Sequence, residues 1–212
     1  MNIYKRYCLF IIGLFIASMG VAFSTKAGLG TSPVASVPYS VSLLSGLFTF
    51  GGWLNLWSLI QISIQVLLLR GKCNPIEIII QTILAFVYGY LTNFSCYLIR
   101  GVNVSNYFEQ FVCMIVSCLI LGFGIFVQFK GKVAMLPGEA MNRAISEVTG
   151  RRYENIKVFF DVFYIIISAI IGIFFLGGLK GVREGSIIAA IFIGNIIKFY
   201  SFLWDKIVKI KK

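Results

Sequence analysis

Long apolar runs, separated by short polar or glycine-rich stretches, dominate this chain of 212 residues. As an α-helix at 1.5 Å per residue, each of six runs is long enough to cross the roughly 30 Å hydrocarbon core of a bilayer. The pattern therefore predicts an all-α polytopic membrane protein with six full transmembrane helices. The predicted spans are residues 7–25, 53–69, 76–99, 111–129, 158–178 and 186–204.

Two polar stretches that follow the first and fourth spans resemble each other. The stretch from Lys26 to Gly46 aligns without a gap on the stretch from Lys130 to Gly150. The chain holds only four prolines, so a proline match at the same offset as the glycine match indicates a repeat. We predict two tandem repeats of about 104 residues, at 1–100 and 111–212, joined by a linker at 101–110. The matched pairs are Lys26 and Lys130, Pro33 and Pro137, Ser42 and Ser146, Gly46 and Gly150, and upstream Gly20 and Gly124.

Each repeat contains one helix that is too short to cross a bilayer. Proline suits the first helical position and glycine favours the end of a helix, which predicts short helices at 33–45 and 137–149. A helix of this length reaches only about 20 Å. We expect both to be re-entrant or broken helices.

The positive charges favour six crossings over eight. With the amino terminus inside, six crossings place about 13 Lys and Arg inside and about 4 outside, whereas eight give about 10 and 7. Both termini are then cytoplasmic. Because each repeat then crosses the membrane three times, the two repeats are inserted in opposite directions. Inverted repeats of this kind are a recurrent transporter architecture. The inside residues are Lys5, Arg6, Arg70, Lys72, Lys130, Lys132, Arg151, Arg152, Lys157, Lys206, Lys209, Lys211 and Lys212, and the outside ones are Lys26, Arg100, Lys180 and Arg183.

The chain is strongly basic, and its composition excludes several classes of protein. The net charge is +11, and the cations sit at the ends of apolar runs, where they contact anionic headgroups at the inner face. The chain has no basic patch interleaved with aromatic residues, so we do not expect it to bind nucleic acid. The first run has the basic flank of a signal peptide, but we expect it to stay uncleaved because its length suits a full span.

The absence of histidine excludes imidazole catalysis and His-containing metal sites. The five cysteines show no CxxC spacing and lie mostly in apolar runs, where a thiol acts as a small hydrophobe. We find no paired acid or nucleophile with catalytic spacing. We therefore expect neither an enzyme nor a metal or other cofactor.

Three charged residues share one stripe of the second short helix. Glu139, Arg143 and Glu147 are spaced four residues apart with alternating sign. One interpretation is a salt-bridge ladder on a helix at the membrane surface. The other is a polar cavity, because ionisable groups at membrane depth usually mark a pathway. Glu139 and Glu147 are then coupling candidates, as is Asp161, for which pairing with Lys157 or Arg152 is the alternative.

The first short helix offers hydroxyl groups instead of charges. Thr31, Ser32 and Ser36 lie near its start, where free backbone N–H groups receive an anionic or zwitterionic head group. A simple cap and turn is the alternative reading. The predicted substrate-binding residues are Thr31, Ser32, Ser36, Glu139, Asn142 and Arg143.

The motif GLGTSP at 28–33, directly after the first span, and the run REGSIIAAIFIGN at 183–195 resemble the bacterial YczE/YyaS/YitT group of small integral membrane proteins. The resemblance covers nearly the whole chain and is greatest to the YczE branch, because the soluble carboxy-terminal domain of the YitT branch has no counterpart. It implies a multi-pass protein of the bacterial plasma membrane and leaves the substrate unnamed.

These patterns favour a small secondary transporter or exporter of a small polar or amphiphilic molecule that binds between the two short helices. One alternative is the substrate-binding membrane subunit of an ATP-driven transporter. Another is an accessory or regulatory membrane protein that transports nothing. The expected partners are the lipid bilayer and a small-molecule substrate, with a homodimer left open.

Overall fold

Eight α-helices make up most of the described chain in this computed structural model, which describes residues 2–70, 73–131 and 133–210 without the side chains at 205 and 207–210. Within those residues six helices are long and apolar enough to cross a membrane. The predicted all-α class with six long apolar helices is confirmed. The helices are α1 Ile3–Ala27, α2 Pro33–Leu44, α3 Phe50–Leu68, α4 Pro75–Leu98, α5 Tyr107–Gly131, α6 Pro137–Thr149, α7 Tyr153–Phe175 and α8 Glu184–Ile210.

Capping residues explain where the long helices begin and end. Helix α5 starts at Tyr107, inside the stretch predicted as a linker, because Glu109 accepts hydrogen bonds from the N–H groups of Ser105 (2.8 Å) and Asn106 (3.3 Å). Helix α1 ends at Ala27 and is capped by Gly28, whose φ of 67° is the left-handed conformation that glycine adopts without strain. Local chemistry therefore lengthens α5 beyond its apolar run.

The two short helices both begin at proline. Helix α2 has 12 residues and α6 has 13, so they extend only about 18 to 20 Å. Gly150 caps α6 with a φ of 67°. Helix α2 also contains Pro38, which has no N–H to donate to the carbonyl of Val34.

The chain forms two compact units that interleave along the sequence. The first unit comprises Met1–Ser32, Phe94–Val133 and Arg183–Lys212, and the second comprises Pro33–Asn93 and Ala134–Val182. The first therefore holds α1, α5, α8 and the end of α4. The second holds α2, α3, α6, α7 and most of α4.

Helices α1 and α5 of the first unit are antiparallel and closely packed. Arg6 Nε donates to the carbonyl of Gly131 (2.9 Å), Gln128 Nε2 donates to that of Gly13 (3.2 Å), and Cys113 Sγ donates to that of Phe23 (3.4 Å). Residue numbers thus fall along α5 as they rise along α1. Small residues let the backbones approach, as in other membrane helix pairs.

Buried serines connect α2 to α7 in the second unit. Ser40 Oγ and Ser168 Oγ are 2.6 Å apart, and Ser168 Oγ donates to the carbonyl of Ser36 at 3.2 Å. Ser36 Oγ in turn lies 3.4 Å from the carbonyl of Tyr164. Since positions 36 and 40 meet positions 164 and 168 in the same order, α2 and α7 run parallel.

The outward surfaces of the long helices are apolar. On α4, Ile79, Ile83, Phe86 and Tyr90 form one stripe at helical spacing, and each is at least 41% exposed. An exposed apolar stripe of this kind is stable against lipid chains and unfavourable in water. The arrangement is that of a multi-pass membrane protein.

Candidate functional site

The amino-terminal ends of the two short helices meet inside the second unit. A Cβ added at Gly138, in the first turn of α6, would lie 3.6 Å from Cγ1 of Val34 in the first turn of α2. The same Cβ would lie 3.3 Å from Nε2 of Gln61 on α3. The start of α6 is therefore packed against both α2 and α3 at a residue without a side chain.

Backbone polar groups are concentrated where these ends meet. The N-cap residue of α6, Leu136, makes no side-chain cap hydrogen bond, so its own side chain does not cap the first-turn N–H groups of that helix. Pro38 leaves the Val34 carbonyl without its usual intrahelical donor. The junction of the two short helices thus presents donors from one helix and an acceptor from the other.

An amide and an aromatic pair lie beside this junction. Gln61 Nε2 donates to the hydroxyl of Tyr164 at 3.2 Å, and each residue is only 2% exposed. Trp57 meets the ring of Tyr164 edge to face, with ring centroids 5.7 Å apart. Val37 and Met141, from the two short helices, pack in the same cluster as Tyr164. Both short helices therefore pack against the same tyrosine of α7.

Glu139 is partly buried and interacts with residues in the first three turns of α7. Lys157 and Asp161 interact electrostatically with it, as does Tyr153. Helix α6 is not one of the spanning helices, and burial raises the pKa of the Glu139 carboxyl above its usual value. The Lys157 ammonium opposes that increase in the pKa, and the Asp161 carboxylate adds to it.

The other two charges of the predicted stripe have a different environment. Arg143 Nε and Glu147 Oε1 form an ion pair at 3.1 Å, with side chains 59% and 56% exposed. Arg143 also contacts the sulfur of Met135 at 3.8 Å. An exposed pair at this spacing contributes only about 0.3–0.5 kcal/mol. For these two residues the geometry is that of the surface ladder, whereas Glu139 is separated from it by burial.

The predicted hydroxyl residues divide between the two units. Thr31 and Ser32 belong to the first unit, where Thr31 is fully buried and its Oγ1 lies 3.4 Å from the carbonyl of Ser32. Ser36 belongs to the second unit, and its Oγ donates to the carbonyl of Pro33 at 2.7 Å. Together with its contact to Tyr164, this bond makes Ser36 part of the α2–α7 packing. Its role in binding substrate stays a prediction.

Asn142 is the one predicted site residue that has a side-chain amide, and it is buried. Its side chain is 3% exposed, and its Oδ1 has no hydrogen-bond partner among the described residues. A buried acceptor without a partner typically costs about 1–3 kcal/mol. The position is therefore unfavourable unless something else donates to it.

Sequence reasoning did not assign Tyr164 and Trp57 to the site. Both lie inside apolar runs, where tyrosine and tryptophan are ordinary, so no local signal distinguishes them. From the sequence, Gln61 is one of several polar residues inside the spans that could form interhelical hydrogen bonds. Only its contact with both Tyr164 and the start of α6 separates it from the others.

The first unit contains a cavity of about 330 Å³ that has a different character. Its lining is mostly apolar, from Phe23, the loop at 102–104 and the first turns of α5. The one carboxylate there, Glu109, is already bonded to two backbone N–H groups. This cavity has no residue in common with the predicted site.

No group of three or more His, Cys, Asp or Glu side chains suited to a metal ion occurs among the described residues. The cysteines Cys8, Cys73, Cys96, Cys113 and Cys118 are free thiols.

Comparison with known proteins identifies relatives without an assigned activity. Residues 4–202 match the profile of a family described as "Family of unknown function (DUF6198)". The chain is 25% identical over 147 residues to the "Uncharacterized protein YyaS" of Bacillus subtilis (strain 168), which covers 69% of this chain and 71% of that protein. No solved structure matches.

Proposed function

The chain belongs to the family of unknown function DUF6198, and we propose that it is a small secondary transporter of the bacterial plasma membrane. It carries a small polar or amphiphilic molecule, which binds where the two short helices meet. Both termini are cytoplasmic, and the chain resembles the YczE branch of the YczE/YyaS/YitT group. Of the cytoplasmic charges behind this orientation, Lys72, Lys132, Lys211 and Lys212 lie outside the described residues.

The packing of α1 on α5 supports two repeats inserted in opposite directions. A Cβ on Gly20 would meet Leu121, and a Cβ on Gly124 would meet Ala17. Adding 104 to Ala17 and Gly20 produces Leu121 and Gly124, so the two contacts exchange under the repeat. A two-fold axis between the repeats would produce this self-complementary, antiparallel crossing of equivalent helices.

The helix pairing of the second unit supports the same relation. Helix α2 packs on α7 and α3 packs on α6, and each pair is the repeat equivalent of the other. Likewise α2 packs on α3 and α6 on α7. In transporters built from inverted repeats, broken helices of the two halves meet near the middle of the bilayer and hold the substrate.

The single observation that carries the proposal is the contact between the starts of the two short helices, at Val34 and Gly138. Neither helix is long enough to cross. Their meeting point has uncapped backbone groups, a buried amide at Gln61 and a partly buried carboxylate at Glu139. Polar and ionisable groups inside a membrane protein's spanning region are costly and usually mark the path of a solute.

Reconstitution of the purified chain into liposomes tests the proposal. Currents on a solid-supported membrane are recorded without ATP while small amines, amino acids and zwitterions are applied one at a time. We expect at least one compound to produce a saturable current that Glu139→Gln reduces by roughly tenfold or more. Glu77→Gln, which alters an exposed carboxylate at the start of α4, should leave the current unchanged.

Other results would contradict the proposal. A current that appears only with a co-purifying ATPase and ATP would identify the chain as a subunit of an ATP-driven transporter. A cellular effect that survives substitution of Glu139, Arg143 and Thr31 together would indicate an accessory protein.

A further inference from the structure

The relative directions of four helices in the second unit follow from contacts already described. Helices α2 and α7 are parallel because Ser36 and Ser40 meet Tyr164 and Ser168 in order. The loops between α2 and α3 and between α6 and α7 are short, and these neighbours pack as hairpins. Helix α3 is thus antiparallel to α2, and α6 is antiparallel to α7. It follows that α3 and α6 run parallel to each other.

This direction fixes which residues of α3 and α6 lie at the same level. Gln61 on α3 is next to Gly138 on α6. Residues four positions further along each helix lie on the same face, one turn on. In parallel helices these residues are again neighbours, and they are Gln65 and Asn142.

Both of these amides are buried with an oxygen that lacks a donor. Gln65 is 6% exposed and Asn142 is 3% exposed. Within the described part of the chain, neither Gln65 Oε1 nor Asn142 Oδ1 has a hydrogen-bond partner. Two oxygen acceptors therefore lie at one level, one turn from the junction of the short helices.

The charged groups on α6 and α7 beside this level favour a cation. Glu139 lies three residues before Asn142 on α6, and Asp161 interacts with Glu139 from α7. Lys157 interacts with both carboxylates, and Arg143 on α6 is paired with Glu147. These groups therefore carry one more negative than positive charge when all three carboxylates are ionised. Amide and carboxylate oxygens are the ligands that hard cations prefer.

We propose that Gln65 Oε1 and Asn142 Oδ1 bind a small monovalent cation, with Glu139 supplying the charge. An alkali metal ion such as Na⁺ and a primary ammonium group share the required chemistry, because both satisfy oxygen acceptors and carry one positive charge. The binding itself does not depend on transport. Its role as substrate or as coupling ion rests on the proposed function.

Thermal unfolding of the purified full chain in detergent tests this site. The melting temperature is measured in choline chloride and then with Na⁺ or methylammonium replacing choline at constant ionic strength. We expect one of the two cations to raise the melting temperature by roughly 2–4 °C at concentrations well above its dissociation constant. The Na⁺ arm and the methylammonium arm identify which source of the chemistry is bound.

Two variants remove the acceptors. Asn142→Leu and Gln65→Met should each abolish the cation-dependent rise. Each should also melt at the same or a higher temperature in choline, because a buried acceptor without a partner has been removed. This combination distinguishes a binding residue from a structural one, whose removal lowers stability. If one variant does not fold, the other carries the test.

Gln128→Met is the matched control. Gln128 is also a buried glutamine, 5% exposed, but its Nε2 donates to the carbonyl of Gly13 in the first unit. Its substitution should lower the melting temperature and leave the cation-dependent rise intact. The proposal is overturned if neither cation stabilises the wild-type chain, or if both acceptor variants keep the rise. Cation binding without any transport current would instead refute the proposed function and leave this site standing.

Discussion

A methyl group at Gly20 should push α1 and α5 apart. The Cβ of Gly20→Ala would lie 2.5 Å from the backbone nitrogen of Leu121 and 2.7 Å from its Cα. Ordinary contact begins at 3.4 Å, so the helices must separate by about 0.9 Å, the difference between 3.4 and 2.5. Backbone atoms cannot yield by changing rotamer, which makes this a movement of whole helices.

The expected cost follows from two opposing effects. Overpacking of this kind destabilises by about 1–3 kcal/mol. Alanine in place of a helical glycine recovers about 0.5–1 kcal/mol. Taking the middle of each range, the net loss is about 1 kcal/mol, which for a chain of this size lowers the melting temperature by roughly 2–4 °C.

A double substitution sharpens the prediction. Gly124→Ala adds its Cβ against Ala17 at the same crossing, in the repeat-equivalent position. Its cost should match that of Gly20→Ala. One separation of the two helices relieves both clashes, so the double variant should lose less stability than the sum of the single variants.

The assay is reversible unfolding in mixed micelles, followed by tryptophan fluorescence. Gly194→Ala is the control, because this glycine lies inside α8 with nothing within 4 Å of an added Cβ. It should be neutral or slightly stabilising. A neutral Gly20→Ala, or fully additive costs in the double variant, would refute the close crossing and its symmetry.

Two further predictions test the second unit and the insertion of the repeats. Ser40→Ala and Ser168→Ala should each lower the free energy of unfolding by about 1–2 kcal/mol in the same assay, because the remaining hydroxyl loses its 2.6 Å partner. The double variant should lose less than the sum of the two single variants, and additive losses would contradict a direct bond. The insertion of the repeats is tested with Gly46→Cys and Val148→Cys, introduced separately into a chain without the five native cysteines. Both positions are exposed and lie near the ends of the short helices, and they should react with an impermeant maleimide from opposite sides of the membrane. Labelling from the same side would rule out inverted repeats.

The sequence by itself determined the elements of this protein. Run length and hydropathy are properties of consecutive residues, and they identified the six long helices. The prolines at 33 and 137 fix the preferred backbone at the first helical position, and both short helices begin there. Capping by Glu109 was not recognised, and α5 therefore starts earlier than its apolar run.

Tertiary structure decided which polar groups meet. By spacing alone, Glu139, Arg143 and Glu147 lie on one stripe of α6. Packing of α6 against α7 makes Glu139 partly buried and leaves the Arg143–Glu147 pair exposed. Gln61 and Tyr164 are 103 positions apart and meet because α3 and α7 both pack against the two short helices. Turn chemistry and hydropathy act over a few residues, whereas these contacts depend on helix direction and register, which are set by the packing of the whole unit.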